Sequence, residues 1–151
     1  MTAVLLAAYL HVANVHLVQA VLDAGGLDAV ALVWCESRFN EHAVRREPRG
    51  HTSWGLYQLD DEFHPQWRHD LLRHIAEGQL FLDECKLRAE TADGRNARAH
   101  WYRMTASRPS FFAYAVALYN GSLAWGFVVE RERDELARWL WNHEQIAGGK
   151  V

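Results

Sequence analysis

Proline and cysteine are scarce in this 151-residue chain, with three of the first and two of the second, and each shortage narrows what the chain can be. Two cysteines cannot staple a small disulfide scaffold, and neither Cys35 nor Cys85 stands in a CxxC pair. Cys35 falls inside an apolar run, where a free thiol is ordinary, so both are read as free. Basic charge is also short: 16 Lys and Arg against 19 Asp and Glu leave a net charge of −3. No basic stripe emerges, which argues against a nucleic-acid partner. Arg45, Arg46 and Arg49 make the one dense basic group; flanked by Glu41 and Glu47, they read as a solvated loop. No phosphate loop or dinucleotide fingerprint occurs. The five-residue spacing of His64, His69 and His74 does not gather their side chains on one helical face, so neither a metal nor another cofactor is expected. No run reads as long and apolar enough to span a membrane. The N-terminal segment has no basic residue near its start and carries His11, Asn14, His16, Gln19 and Asp23 at intervals; it reads as a mature helix and not a signal peptide.

What is present is apolar and aromatic. Half the residues are hydrophobic and seven are Trp, so the chain can bury about two-thirds of its unfolded surface in one core. Helical periodicity dominates and alternating strands are nearly absent, which predicts a single, mainly α domain over residues 1–151 with little or no β. The pattern predicts a helix from Ala3 to Ala24, a Gly25-Gly26 connection, and a helix from Asp28, its N-cap, to Ser37, buried on all sides. A polar loop with room for a short hairpin follows, from Arg38 to Trp54. Pro65 is placed to open a long helix, with Trp67 on its apolar face, to about Ala92. Gly78 inside it calls for a close backbone approach. Asp93-Gly94 breaks the chain. Further helices are expected over Ala97 to Thr105, from Pro109 or Ser110 through FFAYAVALYN to Asn120-Gly121, and from Ser122 to His143. The GGKV tail should fray.

Glu36 stands at the end of the apolar helix. Burial and the negative end of the helix dipole both favour its protonated form, and a protonated carboxyl near neutral pH is a proton donor. On this helix alone, an ion pair with Arg38, Arg45, Arg46 or Arg49 explains it as well.

Three segments in order, ESRFN at Glu36 to Asn40, GLYQ at Gly55 to Gln58 and ALYNGS at Ala117 to Ser122, resemble the lysozyme-like superfamily of goose-type lysozymes and soluble lytic transglycosylases. HIAEGQLFL from His74 to Leu82 adds a weaker fourth. The resemblance spans roughly Leu5 to Trp125 and implies a lysozyme-like helical fold around a central buried helix. GLYQLDDEFH is more similar to the goose-type branch, whose Asp and His positions Asp60 and His64 match. The chain departs from both branches: Tyr57 replaces the usual Met, NGS replaces Asn-Ala-Gly or Asn-Gly-Gly, and the second goose-type aspartate has no clear counterpart, Glu47 being near but out of register.

The resemblance implies cleavage of the β-1,4 bond between N-acetylmuramic acid and N-acetylglucosamine in peptidoglycan, with Glu36 as general acid. If Asp60 lies about 6.5 to 9.5 Å from it with water between, the reaction is inverting hydrolysis. With no second carboxylate placed, the implied route is lytic transglycosylation, which leaves a 1,6-anhydro end. Gln58 then holds the N-acetyl region, and Tyr119 brings its hydroxyl to Glu36 unless it is a core aromatic. Asn120 caps the final helix, and Ser37 orients Glu36 or bonds back to its own helix. Trp54 and Tyr57 are candidates for sugar stacking, one of them expected to be core, and His64 completes the set. A non-catalytic wall-binding or virion or secretion structural module, and a chitinase-like glycosidase, remain the other readings. The expected partner is the peptidoglycan strand, met by a monomer without stable membrane association. A phage or prophage lysin is the expected setting.

Overall fold

The computed structural model describes residues 1–47, 50–64, 70–105 and 109–147; the expectations at Arg49, Pro65, Trp67, His69 and the GGKV tail lie outside them. Among the described residues, six helices and a three-stranded antiparallel sheet follow in the order α1 (Thr2–Tyr9), α2 (Val15–Ser37), β1 (Val44–Arg46), β2 (Thr52–Trp54), β3 (Leu59–Asp60), α3 (Leu71–Glu90), α4 (Ala92–Thr105), α5 (Phe111–Asn120) and α6 (Leu123–Ala147). The fold is mainly helical. The small sheet, in the order β1-β2-β3, is more β structure than the sequence pattern suggests. Its strands are two or three residues long, too short for alternation to register.

The expected first helix is two. Asn14 Oδ1 accepts the Leu17 N–H at 3.1 Å and starts α2, while His11 takes a positive φ of 55°. The cap outweighs the apolar run that continues across it. Gly25 and Gly26 leave helical geometry inside α2, so the expected connection is present as a kink. Beyond it, Ala29 to Val33 have no exposed surface, and each large side chain there contributes about 1.5–3 kcal/mol. Asp28, read as an N-cap, carries a carboxylate that meets Lys86 Nζ at 2.9 Å and Arg133 Nη1 at 3.4 Å. It ties α2 to α3 and α6. By length and mean hydropathy, 1.5 over its most apolar stretch, Val15–Ser37 does pass as a membrane-spanning helix. The expectation that no run would is thereby corrected, although the kink divides this one and its second half lies within the core.

Other boundaries move for the same reason, a polar side chain closing a helix end. Asp70 Oδ1 accepts from Arg73 N and starts α3 at Leu71. Thr91 Oγ1 accepts from Gly94 N, so Asp93-Gly94, expected as a break, lies in the first turn of α4. Ser110 Oγ caps α5 through Ala113 N. Ser122 Oγ, and not Asn120, accepts from Trp125 N at 3.4 Å at the start of α6.

Two glycines set helix positions around the cleft. A Cβ on Gly78 would lie 2.3 Å from the Tyr57 ring, so α3 approaches an aromatic side chain here and not the backbone the sequence suggests. A Cβ on Gly126 would stand 2.1 Å from the Ala113 carbonyl oxygen. That contact lets the start of α6 lie directly against α5.

Candidate active site

The last turn of α2 delivers Glu36 to the meeting point of α5, α6 and β1. Its side chain has no exposed surface. Oε1 accepts two N–H bonds, from the Trp125 indole at 2.8 Å and from Asn120 Nδ2 at 3.0 Å. Among the described residues Oε2 accepts none, and Arg45 Nη2 lies 3.7 Å from it. Burial raises the carboxyl above its ordinary range, and Glu47 adds to the shift; the Trp125 bond, Arg45 and Asn120 oppose it without reversing it. Both N–H donors occupy Oε1, so Oε2 is the oxygen left open to carry a proton.

A cleft of about 810 Å³ opens beside this group, lined among others by Arg45, Glu47, Gln58, Asp60, Phe63, His64, Tyr119 and Asn120. Glu36 is not on its surface; Arg45 and Asn120 stand between. The sheet wall carries charge of another kind. Glu47 Oε1 accepts from Ser53 Oγ at 2.8 Å and from Arg45 Nε at 2.9 Å. The Ser53 bond, helped by Arg45, holds its carboxyl below the ordinary range. Two carboxyl groups beside one guanidinium are thus driven apart in acidity, the arrangement that separates an acid from a base.

The turn between β2 and β3 is held from beneath. His74, only 4% exposed, accepts the Tyr57 N–H on Nε2 at 3.1 Å, which places its ring proton on Nδ1. Burial takes its pKa down to about 4, so the ring is neutral. Gln58 sits at a positive φ of 48° and donates from Nε2 to the carbonyls of Gly55 and Ala43. It lines the cleft while closing the turn.

Several expected roles are corrected, while Ser37 and Tyr57 take the second of the readings open to each. Tyr57 is wholly buried, against Gly78 and edge-on to His74, and no sugar can stack on it. Ser37 donates to its own helix at the Val33 carbonyl, 3.1 Å away, and does not orient Glu36. The Tyr119 hydroxyl donates to the Tyr57 carbonyl at 2.7 Å, so it braces the turn and does not bond Glu36, although its ring lines the cleft. Asn120 binds Glu36 where it was expected to cap α6. Asp60 lines the cleft, one carboxylate oxygen against His51 Nδ1 and the other accepting the Glu62 N–H at 2.9 Å. Ligand atoms of His51, Asp60 and Glu62 lie within 4.8 Å of one another, the one grouping among the described residues that could hold a metal ion. His64 lines the cleft with its ring 5.3 Å from that of Phe81.

Sequence reasoning missed Trp125 and Phe63; Arg45 was foreseen as one of four possible ion-pair partners of Glu36, and among the described residues it is the one found beside it. Phe63 is 71% exposed and is the open aromatic of the cleft; its place in the LDDEFH stretch was the available signal. Cys35 and Cys85 are free thiols, pushed by burial to about 12 and about 11, and are inert as nucleophiles. Comparison of the chain with protein-family models, with curated proteins and with solved structures found no match.

Proposed function

We propose that the protein is a peptidoglycan-cleaving muramidase on a lysozyme-like fold, acting on the β-1,4 bond between N-acetylmuramic acid and N-acetylglucosamine with Glu36 as general acid. The observation that carries this reading is the state of Glu36: buried, raised in pKa, one oxygen fixed by Trp125 and Asn120 and the other without a hydrogen bond. A carboxyl so held keeps its proton to higher pH than an ordinary Glu does and offers it from one oxygen. The adjoining cleft is large enough for a short glycan, and Phe63 gives it an apolar face for a sugar ring. The segments that resemble goose-type lysozymes and lytic transglycosylases supply the substrate class. A phage or prophage lysin is the setting that goes with it.

Digestion of purified cell wall tests the proposal. The parent chain releases soluble muropeptides, and Glu36→Gln loses about 10²–10⁴-fold in rate. Full activity in that variant would refute the assignment. Product masses separate the two routes, because anhydro ends are lighter than reducing ends by one water.

The screening of Glu36 by Arg45 favours one second reading, a module that binds wall glycan without turning it over. It predicts retained binding and no soluble product from parent and variant alike.

A further inference from the structure

Accepting Glu36 as the acid, we propose that Glu47 is the base that takes a proton from the attacking water, and that Arg45 occupies the space between the two carboxyls until the glycan displaces it. Arg45 Nε lies 2.9 Å from Glu47 Oε1, and Nη2 of the same guanidinium lies 3.7 Å from Glu36 Oε2. A planar guanidinium bridging both oxygens limits their separation to about 9 Å. Inverting hydrolysis needs about 6.5 to 9.5 Å between carboxyls, the room for a sugar carbon and a water. The bound admits that spacing, and Arg45 lies between the two oxygens.

Three observations make Arg45 displaceable and Glu47 the base. Glu36 is fully buried while Arg45 is 47% exposed, so the guanidinium can swing into solvent, and the glycosidic oxygen reaches Oε2 only after it does. Both hydrogen bonds to Glu47 fall on Oε1, leaving Oε2 to meet a water in the cleft that Glu47 lines. Asp60, in contrast, has one oxygen against His51 and the other on the Glu62 N–H. Displacement also prepares the chemistry. Arg45 lowers the pKa of both carboxyls, so its departure leaves Glu36 more firmly protonated and Glu47 more basic, while the Ser53 bond keeps Glu47 oriented.

The step then balances. The Glu36 Oε2 proton moves to the glycosidic oxygen as the bond from that oxygen to C1 breaks. Water attacks C1 from the opposite face and gives one proton to Glu47. One product carries a C1 hydroxyl of inverted configuration and the other a free 4-hydroxyl. The proton on Glu47 leaves to solvent, and Glu36 takes one back.

The test is wall digestion by the full chain and by Glu36→Gln, Glu47→Gln, Asp60→Asn and Arg45→Ala, with product anomers followed by NMR in ¹⁸O-labelled water. Expected are α-anomeric reducing ends carrying one ¹⁸O, a rate loss of about 10²–10⁴-fold in Glu47→Gln, and a smaller loss in Asp60→Asn. Azide added to Glu47→Ala restores turnover as an inverted glycosyl azide, which a merely structural role would not allow. Arg45→Ala lowers KM. If Glu36→Gln is inactive but Glu47→Gln stays within threefold of the parent, or Asp60→Asn is the more damaged, the base is not Glu47 while the acid stands. Anhydro ends or retained configuration overturn the water route, and a higher KM in Arg45→Ala overturns the displacement. An active Glu36→Gln overturns the reading on which this rests.

Discussion

Glu36 on the helical side of the cleft and Glu47 on the sheet side contact the same guanidinium, yet they are carboxyls of opposite character. The helical wall is dry. Its polar groups, the Trp125 indole, the Asn120 amide and the Tyr119 hydroxyl, are committed to fixed acceptors, and burial dominates the ionisation of Glu36. The sheet wall is short-stranded and partly solvated. There a single hydroxyl, Ser53, outweighs burial at Glu47. Sequence distance and net charge do not make this difference; burial at Glu36 and the Ser53 hydrogen bond at Glu47 do.

The sharpest way to break the contrast is through the aromatics, since Tyr57 belongs to the dry side and Phe63 to the open one. Tyr57→Ala should cost about 3–5 kcal/mol of stability, as large aromatic deletions in cores do, measurable by urea unfolding. Phe63→Ala should leave the midpoint nearly unchanged and weaken glycan binding in calorimetry. Equal destabilisation of the two variants would erase the distinction.

Next in size is the latch beneath the turn. His74 is neutral when folded, its pKa near 4 against an ordinary 6.5. The unfolded chain therefore takes up the proton first as pH falls, so stability is full above 6.5 and is lost on the way down to about 4. The total is up to about 3 kcal/mol. His74→Gln, whose amide can still accept from Tyr57 N–H, should flatten this limb of a Tm-against-pH profile; an unchanged slope would remove His74 as its cause.

The smallest effect compares the two carboxyls directly. Glu36 has a raised folded pKa, so its charge opposes folding and stability falls as pH rises through that pKa. Glu47 has a lowered one, so its contribution is present above the ordinary value of 4.5 and is lost as pH falls. At pH 8, Glu36→Gln should raise Tm and Glu47→Gln should lower it. Each change is read as a shift of Tm, and its sign is what the comparison tests. Glu47 is itself partly exposed, which keeps its share small. Both differences should shrink below pH 4. Shifts of the same sign at pH 8 would show that the walls do not differ as described.

Glu36 was legible in the sequence because seven apolar residues precede it with no polar position to turn outward, and a carboxyl at such an end has few places to go. The start of α5 at Pro109 or Ser110 and the mainly helical class were legible too, both being local. The rest depends on contacts that no local pattern encodes. Trp125 reaches Glu36 across 89 residues because α6 packs on α2. Nothing distinguishes it beforehand from the other six Trp. Tyr57 and Phe63 stand six residues apart in one turn-rich stretch, and Gly78, whose missing side chain leaves a seat for the Tyr57 ring, decides which is buried. The split of the first helix rests on one Asn side chain turning back onto Leu17 N, which competes silently with an uninterrupted apolar run.

The contact of Gly126 with the Ala113 carbonyl has a reach beyond packing. It sits one residue after Trp125, so the acidity of Glu36 is tied to how closely two helices can touch. Any side chain at position 126 would pry α6 away from α5 and carry the indole N–H out of range of the carboxyl. A single methyl group at a contact between two helices would thereby retune the proton donor.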